Sequence, residues 1–245
     1  MTTNILRNYK ISNLRAIAIL TVVIGHSIII YSSEWNLIQT SVECTFFDSL
    51  KHIINLYQMQ IFFFISGFLM YGTLQKKISL KQFFTDKVNR LIIPYFFVGL
   101  LWMIPVKMLI NISDFSINQL LPQIINLIDG LSNGHLWFLY SLFTMFLFFY
   151  IANRAVSCVY KHLEEINSNL NIIKYCKWGG VIVTLIFLSG LIVLANFVPN
   201  YFSIVYTMQF IIWFYLGLLV GVSLQILIIT LWCLLWCPQV GQLPY

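Results

Sequence analysis

Two ionisable residues eleven positions apart, Arg15 and His26, could do chemistry inside an otherwise apolar run. Eleven steps of 100° return to within about 20° of the start, so on a helix the two side chains share one face about 16 Å apart. Charged or titratable groups within such a run are costly and are candidates for function by default. A guanidinium presents a fork of donors suited to phosphate, whereas a neutral imidazole can take a proton from a hydroxyl. Ala18, Val22 and Gly25 lie on the same stripe, and small residues there let a second helix or a substrate approach the backbone. Plainer roles compete, with Arg15 as an anchor at a span end and His26 as an interhelical hydrogen-bonding group. Lys87 and Arg90 form a second basic pair, three residues apart. They can share a helix face and, with Arg15, offer positive charge to phosphates, or they can reach lipid headgroups. Further along, His135 and Trp137 stand at the start of an apolar run, where tryptophan serves as an interfacial anchor or as a stacking surface for a sugar. Tyr57, Gln58, Gln60 and Ser66 are polar residues within another run, fit for interhelical hydrogen bonds or for lining a polar path.

The elements that must position these groups are membrane spans. Of the 245 residues 60% are hydrophobic and only 9% charged, against about 25% charged in soluble domains. Mean hydropathy is +0.85. Water-soluble, disordered and coiled-coil classes are excluded, leaving a single all-α, polytopic transmembrane helical bundle over residues 1–245. Apolar runs fall at residues 14–31, 53–74, 92–110, 135–152, 179–198 and 203–224, which gives six spans. Residues 224–236 stay apolar but are too few to cross comfortably, and read as the stub of a seventh. The first run is a retained helix, because polar Ser32, Ser33 and Glu34 follow it in place of a small-residue cleavage site.

All of the 14 basic residues except Lys51 and Lys107 lie before or at the start of the first run, between the second and third, or between the fourth and fifth. Those segments are therefore expected on the cytoplasmic side, with the N-terminus. This placement accounts for the net charge of +6 without a nucleic-acid partner. Leu80, Phe83, Phe84, Val88 and Leu91 make one face of an amphipathic segment expected to lie on the membrane surface, ahead of Pro94, which starts or kinks the third span. Leu120, Leu121, Ile124, Ile125, Ile128 and Leu131 repeat at helical spacing on the opposite side. The five cysteines are scattered, with neither a disulfide framework nor a zinc spacing. No P-loop, dinucleotide fingerprint, metal-ligand cluster or Gly-x-Ser-x-Gly elbow is present. No metal and no tightly bound cofactor is expected.

The stretch from Arg15 to His26 resembles the arginine-x10-histidine signature of the acyltransferase 3 family, membrane enzymes that O-acylate sugars. Phe62-Phe63-Phe64-Ile65-Ser66-Gly67-Phe68 resembles the family's second-helix block. Lys87-Val88-Asn89-Arg90 followed by Pro94 resembles its second basic motif, and His135-Leu136-Trp137 the block that opens the fourth helix. Among the family's branches the chain is most similar to the fucose 4-O-acetylase-like group. The resemblance implies that His26 is the catalytic base and that Arg15 belongs with it. It implies acetyl-CoA as cytoplasmic co-substrate, a cell-surface polysaccharide or its lipid-linked precursor as acceptor, and the bacterial inner membrane as the location. Lys87 and Arg90 take the place of the family's donor-binding pair; His135, Trp137, Tyr57, Gln60 and Ser66 are acceptor-side candidates. Intact relatives resemble ten-helix bundles, so a chain of six spans reads as a truncated product, active or inactive. A transport or channel subunit with Arg15 and His26 lining a polar path is the alternative from another class.

Overall fold

A computed structural model describes residues 9–28, 44–76, 78–109, 120–130, 134–166 and 170–236. In order these form α1 (Tyr9–Ile28), α2 (Thr45–Leu74), α3 (Leu80–Lys87), α4 (Ile93–Val98), α5 (Ile104–Leu109), α6 (Leu120–Ile128), α7 (Trp137–Ile166), α8 (Leu170–Leu194) and α9 (Ile204–Trp236). Among the described residues there is no strand, and the architecture is an all-α bundle. Five stretches are long and apolar enough to cross a bilayer: Thr45–Leu74, Leu80–Val106, Trp137–Val159, Gly179–Phe197 and Tyr201–Ser223. The first of the six expected spans contributes the shorter apolar helix Ala16–Ile28; the end of that expected run, residues 29–31, lies outside the described residues. Large apolar side chains such as Ile17, Leu20, Ile182 and Phe187 are exposed on the outside of the bundle, as lipid-facing surfaces require.

The tightest packing joins α2 to the last helix. A side chain on Gly67 would collide with the carbonyl oxygen of Phe214, and one on Gly217 with that of Phe64. At Gly221 an added Cβ would stand 2.8 Å from the Cβ of Tyr71. Without a hydrophobic drive between helices in lipid, such close backbone approach is what holds them together. Around this seam Phe63, Met70, Met145 and Phe214 are fully buried, and Phe149 stacks on Phe214 with ring centroids 5.1 Å apart.

Two expectations about element boundaries are corrected. Residues 224–236 do not begin a seventh helix; they continue α9, which is 33 residues long and so about 50 Å, well beyond a hydrocarbon core of about 30 Å. Nor does Pro94 separate a surface helix from a span. Leu80 to Leu109 is one helical rod, interrupted by π-turns at Val88–Ile92 and Gly99–Met103. Each π-turn ends two residues before a proline, Pro94 or Pro105. Proline would press its ring on the carbonyl four residues back. Widening that turn relieves the clash: the Ile93 N–H donates to the Val88 carbonyl and the Ile104 N–H to the Gly99 carbonyl, five residues back.

The amphipathic segment after α5 forms α6 as its periodicity implies, and its buried Leu127 sits on the second π-turn. A Cβ on Gly99 would stand 2.7 Å from the Leu127 methyls, and the Tyr95 hydroxyl donates to the Leu127 carbonyl at 2.6 Å. The entry to α9 is tied to the same corner. The Phe202 N–H donates to the Asp129 carbonyl at 2.6 Å, Gly130 turns there at φ 73° and Phe202 at φ 54°, and the Ser141 hydroxyl donates to the Ser203 carbonyl at 3.2 Å.

Replacing Gly217 by leucine is expected to lower thermal stability in detergent by about 1–3 kcal/mol or more, through overpacking against a backbone that cannot move aside. Gly72, with nothing within 4 Å of an added Cβ, should accept alanine with a change of no more than about 1 kcal/mol, in the stabilising direction. Equal melting curves for the two variants would contradict the α2–α9 seam.

Candidate functional site

The sequence candidates separate onto two adjacent faces of α2. One face, with Phe62, Ser66, Leu69 and Thr73, borders a cavity of about 450 Å³ completed by Lys87, Arg90 and the α7 residues Phe138, Leu142 and Phe146. The other, with Lys51, Ile54 and Gln58, packs on Gly25 of α1. At 100° per residue the two faces are centred about 60° apart, and Ile54 and Ser66 are separated by about 18 Å along the helix.

The cavity's cations are positioned by a clamp at one end of the bundle. The Ser79 hydroxyl caps α3 by accepting from the Gln82 N–H at 3.2 Å. Phe83, buried beneath α3, stacks on Tyr150 with centroids 4.2 Å apart. The carbonyl of Ile78 accepts from both the Tyr150 hydroxyl and the Arg154 guanidinium, each at 2.8 Å; the guanidinium also donates to the Tyr150 oxygen at 3.1 Å. Arg154, in sequence one of many orienting charges, thus fastens the start of the rod to α7. At the other end of α3 the Lys87 ammonium lies 3.5 Å from the centroid of the Phe146 ring, a cation–π contact that a partly desolvated ammonium makes well. The π-turn follows at once. Lys87 and Arg90 reach the same cavity, as their spacing implies. The Ser66 hydroxyl lines it too and donates to its own helix, to the Phe62 carbonyl at 2.8 Å. Cations at one side and aromatic walls at the other make the cavity fit for a molecule with an anionic head and an apolar arm.

His26 is half-buried in α1, and no described α1 side chain lines this cavity. The side chains of Arg15 and His135 lie outside the described residues, so the expected meeting of Arg15 with Lys87 and Arg90 does too. Beside His26, Gly25 faces α2 so closely that an added Cβ would stand 3.0 Å from Ile54, 3.3 Å from the Gln58 Oε1 and 3.5 Å from the Lys51 Nζ. Lys51 is 4% exposed. In sequence Lys51 stands out only as one of two basic residues outside the cytoplasmic segments; its i, i+3, i+7 spacing with Ile54 and Gln58 is the signal that puts it on the packed face. The Gln58 amide donates to Asn55 Oδ1 at 2.9 Å, while its Oε1 is buried without a partner among the described residues, as is that of Gln60. A buried acceptor left open costs about 1–3 kcal/mol, which favours a donor from a ligand or water in this seam. Tyr57 and Gln58 also border a small void beside Ala18 and Thr21.

Trp137 sits in an aromatic stack, 4.4 Å from Tyr206 and 5.6 Å from Phe210 between centroids, which gives it a packing role in this structure. A family model described as an acyltransferase domain matches residues 8–239. No curated protein matches the chain, and no solved structure does.

Removing the clamp should free the start of the rod. Arg154→Ala is expected to speed amide hydrogen exchange over residues 79–87 about tenfold or more, the loss of a charge-assisted bond worth about 1.5–3 kcal/mol. The same change at exposed Lys161 should leave those amides as they are; equal exchange in the two variants would contradict the clamp.

Proposed function

The chain belongs to the acyltransferase 3 family, a membrane acyltransferase by its domain and helices, and on that premise we propose that it moves acetyl from cytoplasmic acetyl-CoA to a hydroxyl of a cell-surface polysaccharide or its lipid-linked precursor. The observation that carries this reading is the cavity that joins Lys87 and Arg90 to an apolar wall. The two cations, with Arg15, hold the donor's phosphates, and the pantetheine arm follows the apolar wall between α2 and α7. His26 takes the proton of the acceptor hydroxyl as its oxygen attacks the thioester carbonyl. The new C–O bond forms, the C–S bond breaks, and the imidazolium returns its proton to the departing thiolate. Tyr57 and Gln60 along α2, with His135 at the start of α7, are the acceptor-side groups, while Ser66 lines the donor cavity with Lys87 and Arg90 and Trp137 packs on Tyr206 and Phe210. By its motifs the chain falls in the fucose 4-O-acetylase-like branch, in the bacterial inner membrane with its N-terminus cytoplasmic. The match to an acyltransferase domain favours transfer over transport.

Transfer of label from acetyl-CoA to membrane glycolipids tests the reading. His26→Ala should lower turnover by about 10²–10⁴-fold, the usual contribution of a general base. The double change Lys87→Ala, Arg90→Ala should act chiefly on KM for acetyl-CoA, raising it about 10-fold or more, as loss of charge-assisted bonds of about 1.5–3 kcal/mol each implies. Labelling that survives the loss of His26 would overturn the mechanism.

A further inference from the structure

The cavity is polar at one end only. Its α2 wall runs from Phe62 to Thr73 and its α7 wall from Phe138 to Phe146, about 16 Å and about 12 Å at 1.5 Å per residue. Lys87 lies against Phe146, so the cations and Thr73 mark one end. At the other, the rings of Phe62 and Phe138 meet edge to face, with centroids 5.6 Å apart at 81°. The neighbours of both rings are fixed. Phe63, fully buried, stacks on Phe210 at 5.3 Å, and Trp137 stacks on Phe210 and lies tilted against Tyr206. Each helix is therefore pinned one residue away from the pair, and the wall cannot retreat without breaking a stack. Among the described residues that line the cavity, no cation and no hydroxyl stands between these two rings and Ser66, whose own hydroxyl is spent on its helix.

Resting on the donor reading above, we propose that the Phe62–Phe138 pair closes the apolar end of the cavity and sets the length of acyl chain the donor site accepts. With phosphates held at Lys87 and Arg90, the arm and its acyl group extend toward the pair, and each further methylene must push these two rings apart on helices that are pinned beside them. Close-packed walls resist such intrusion. The pair acts as a gauge on the donor's acyl group, and the acceptor plays no part in it.

The test is competition binding of acetyl-, butyryl-, hexanoyl- and octanoyl-CoA to the full chain in lipid nanodiscs, comparing the native protein with Phe138→Ala and with the milder Phe62→Leu. Correct folding is checked by thermal unfolding, and Phe62→Leu carries the test if the alanine variant does not fold. The native chain should favour the short esters, and the ratio of hexanoyl- to acetyl-CoA affinity should rise about tenfold or more in the variants, the scale on which one or two methylenes are discriminated in a pocket. An unchanged chain-length profile in a folded variant, while Lys87→Ala still weakens all four esters, overturns the gauge and leaves the donor site standing. If none of the four binds the native chain, or Lys87→Ala weakens none, the donor reading fails and the gauge with it.

Discussion

Helix α2 can wall two sites because α9 holds it from behind at backbone distance. Gly67, Gly217 and Gly221 let the two helices meet carbonyl to Cα, on a face of α2 that lies about 180° from the cavity when turns are counted at 100° per residue. That contact leaves the other faces of α2 for Gly25 and Lys51 on one side and for Ser66 and Lys87 on the other. A side chain at any of these glycines would force the helices apart and shift both sites together.

The third rod solves a different problem, which is how to bring cations into a membrane bundle without stranding them. Its first turns lie against α7 through Phe83, Tyr150 and Arg154, and the ammonium of Lys87 shelters on Phe146. Proline then forces a wide turn immediately after Lys87. Such turns are frequent at functional sites because they rotate the side chains on either side of them. Here the rotation falls between Lys87 and Arg90, and both reach one cavity.

Much of this was legible. The spans follow from apolar runs, α6 from its periodicity, and the pairing of Lys87 with Arg90 from their spacing, each being a local property of the chain. What was not legible depends on contacts distant in sequence. The uncharged last third offered no orienting residue, so nothing marked α9 as the partner of α2, although Gly217 and Gly221 are spaced as a close-packing pair. Lys51 stood out only as a basic residue outside the cytoplasmic segments, since burial against Gly25 is a property of two helices. Trp137 read as an interfacial or stacking residue; the partners that enclose it, Tyr206 and Phe210, are some seventy residues away. The π-turns could have been foreseen only by asking how a rod carrying Pro94 and Pro105 keeps its hydrogen bonds, and proline alone does not say whether a helix breaks or widens.

The central claim is that the donor lies along α2, phosphates at Lys87 and Arg90 and acyl group toward Phe62 and Phe138. Photocrosslinking with two acetyl-CoA analogues, one reactive at the nucleotide end and one in the acyl group, tests it most directly when the labelled residues are mapped by mass spectrometry. The account expects the first to mark residues 81–91 and the second to mark the neighbourhood of Phe62 and Phe138. Labelling in the reverse order, or of lipid-facing residues by both analogues, would contradict it.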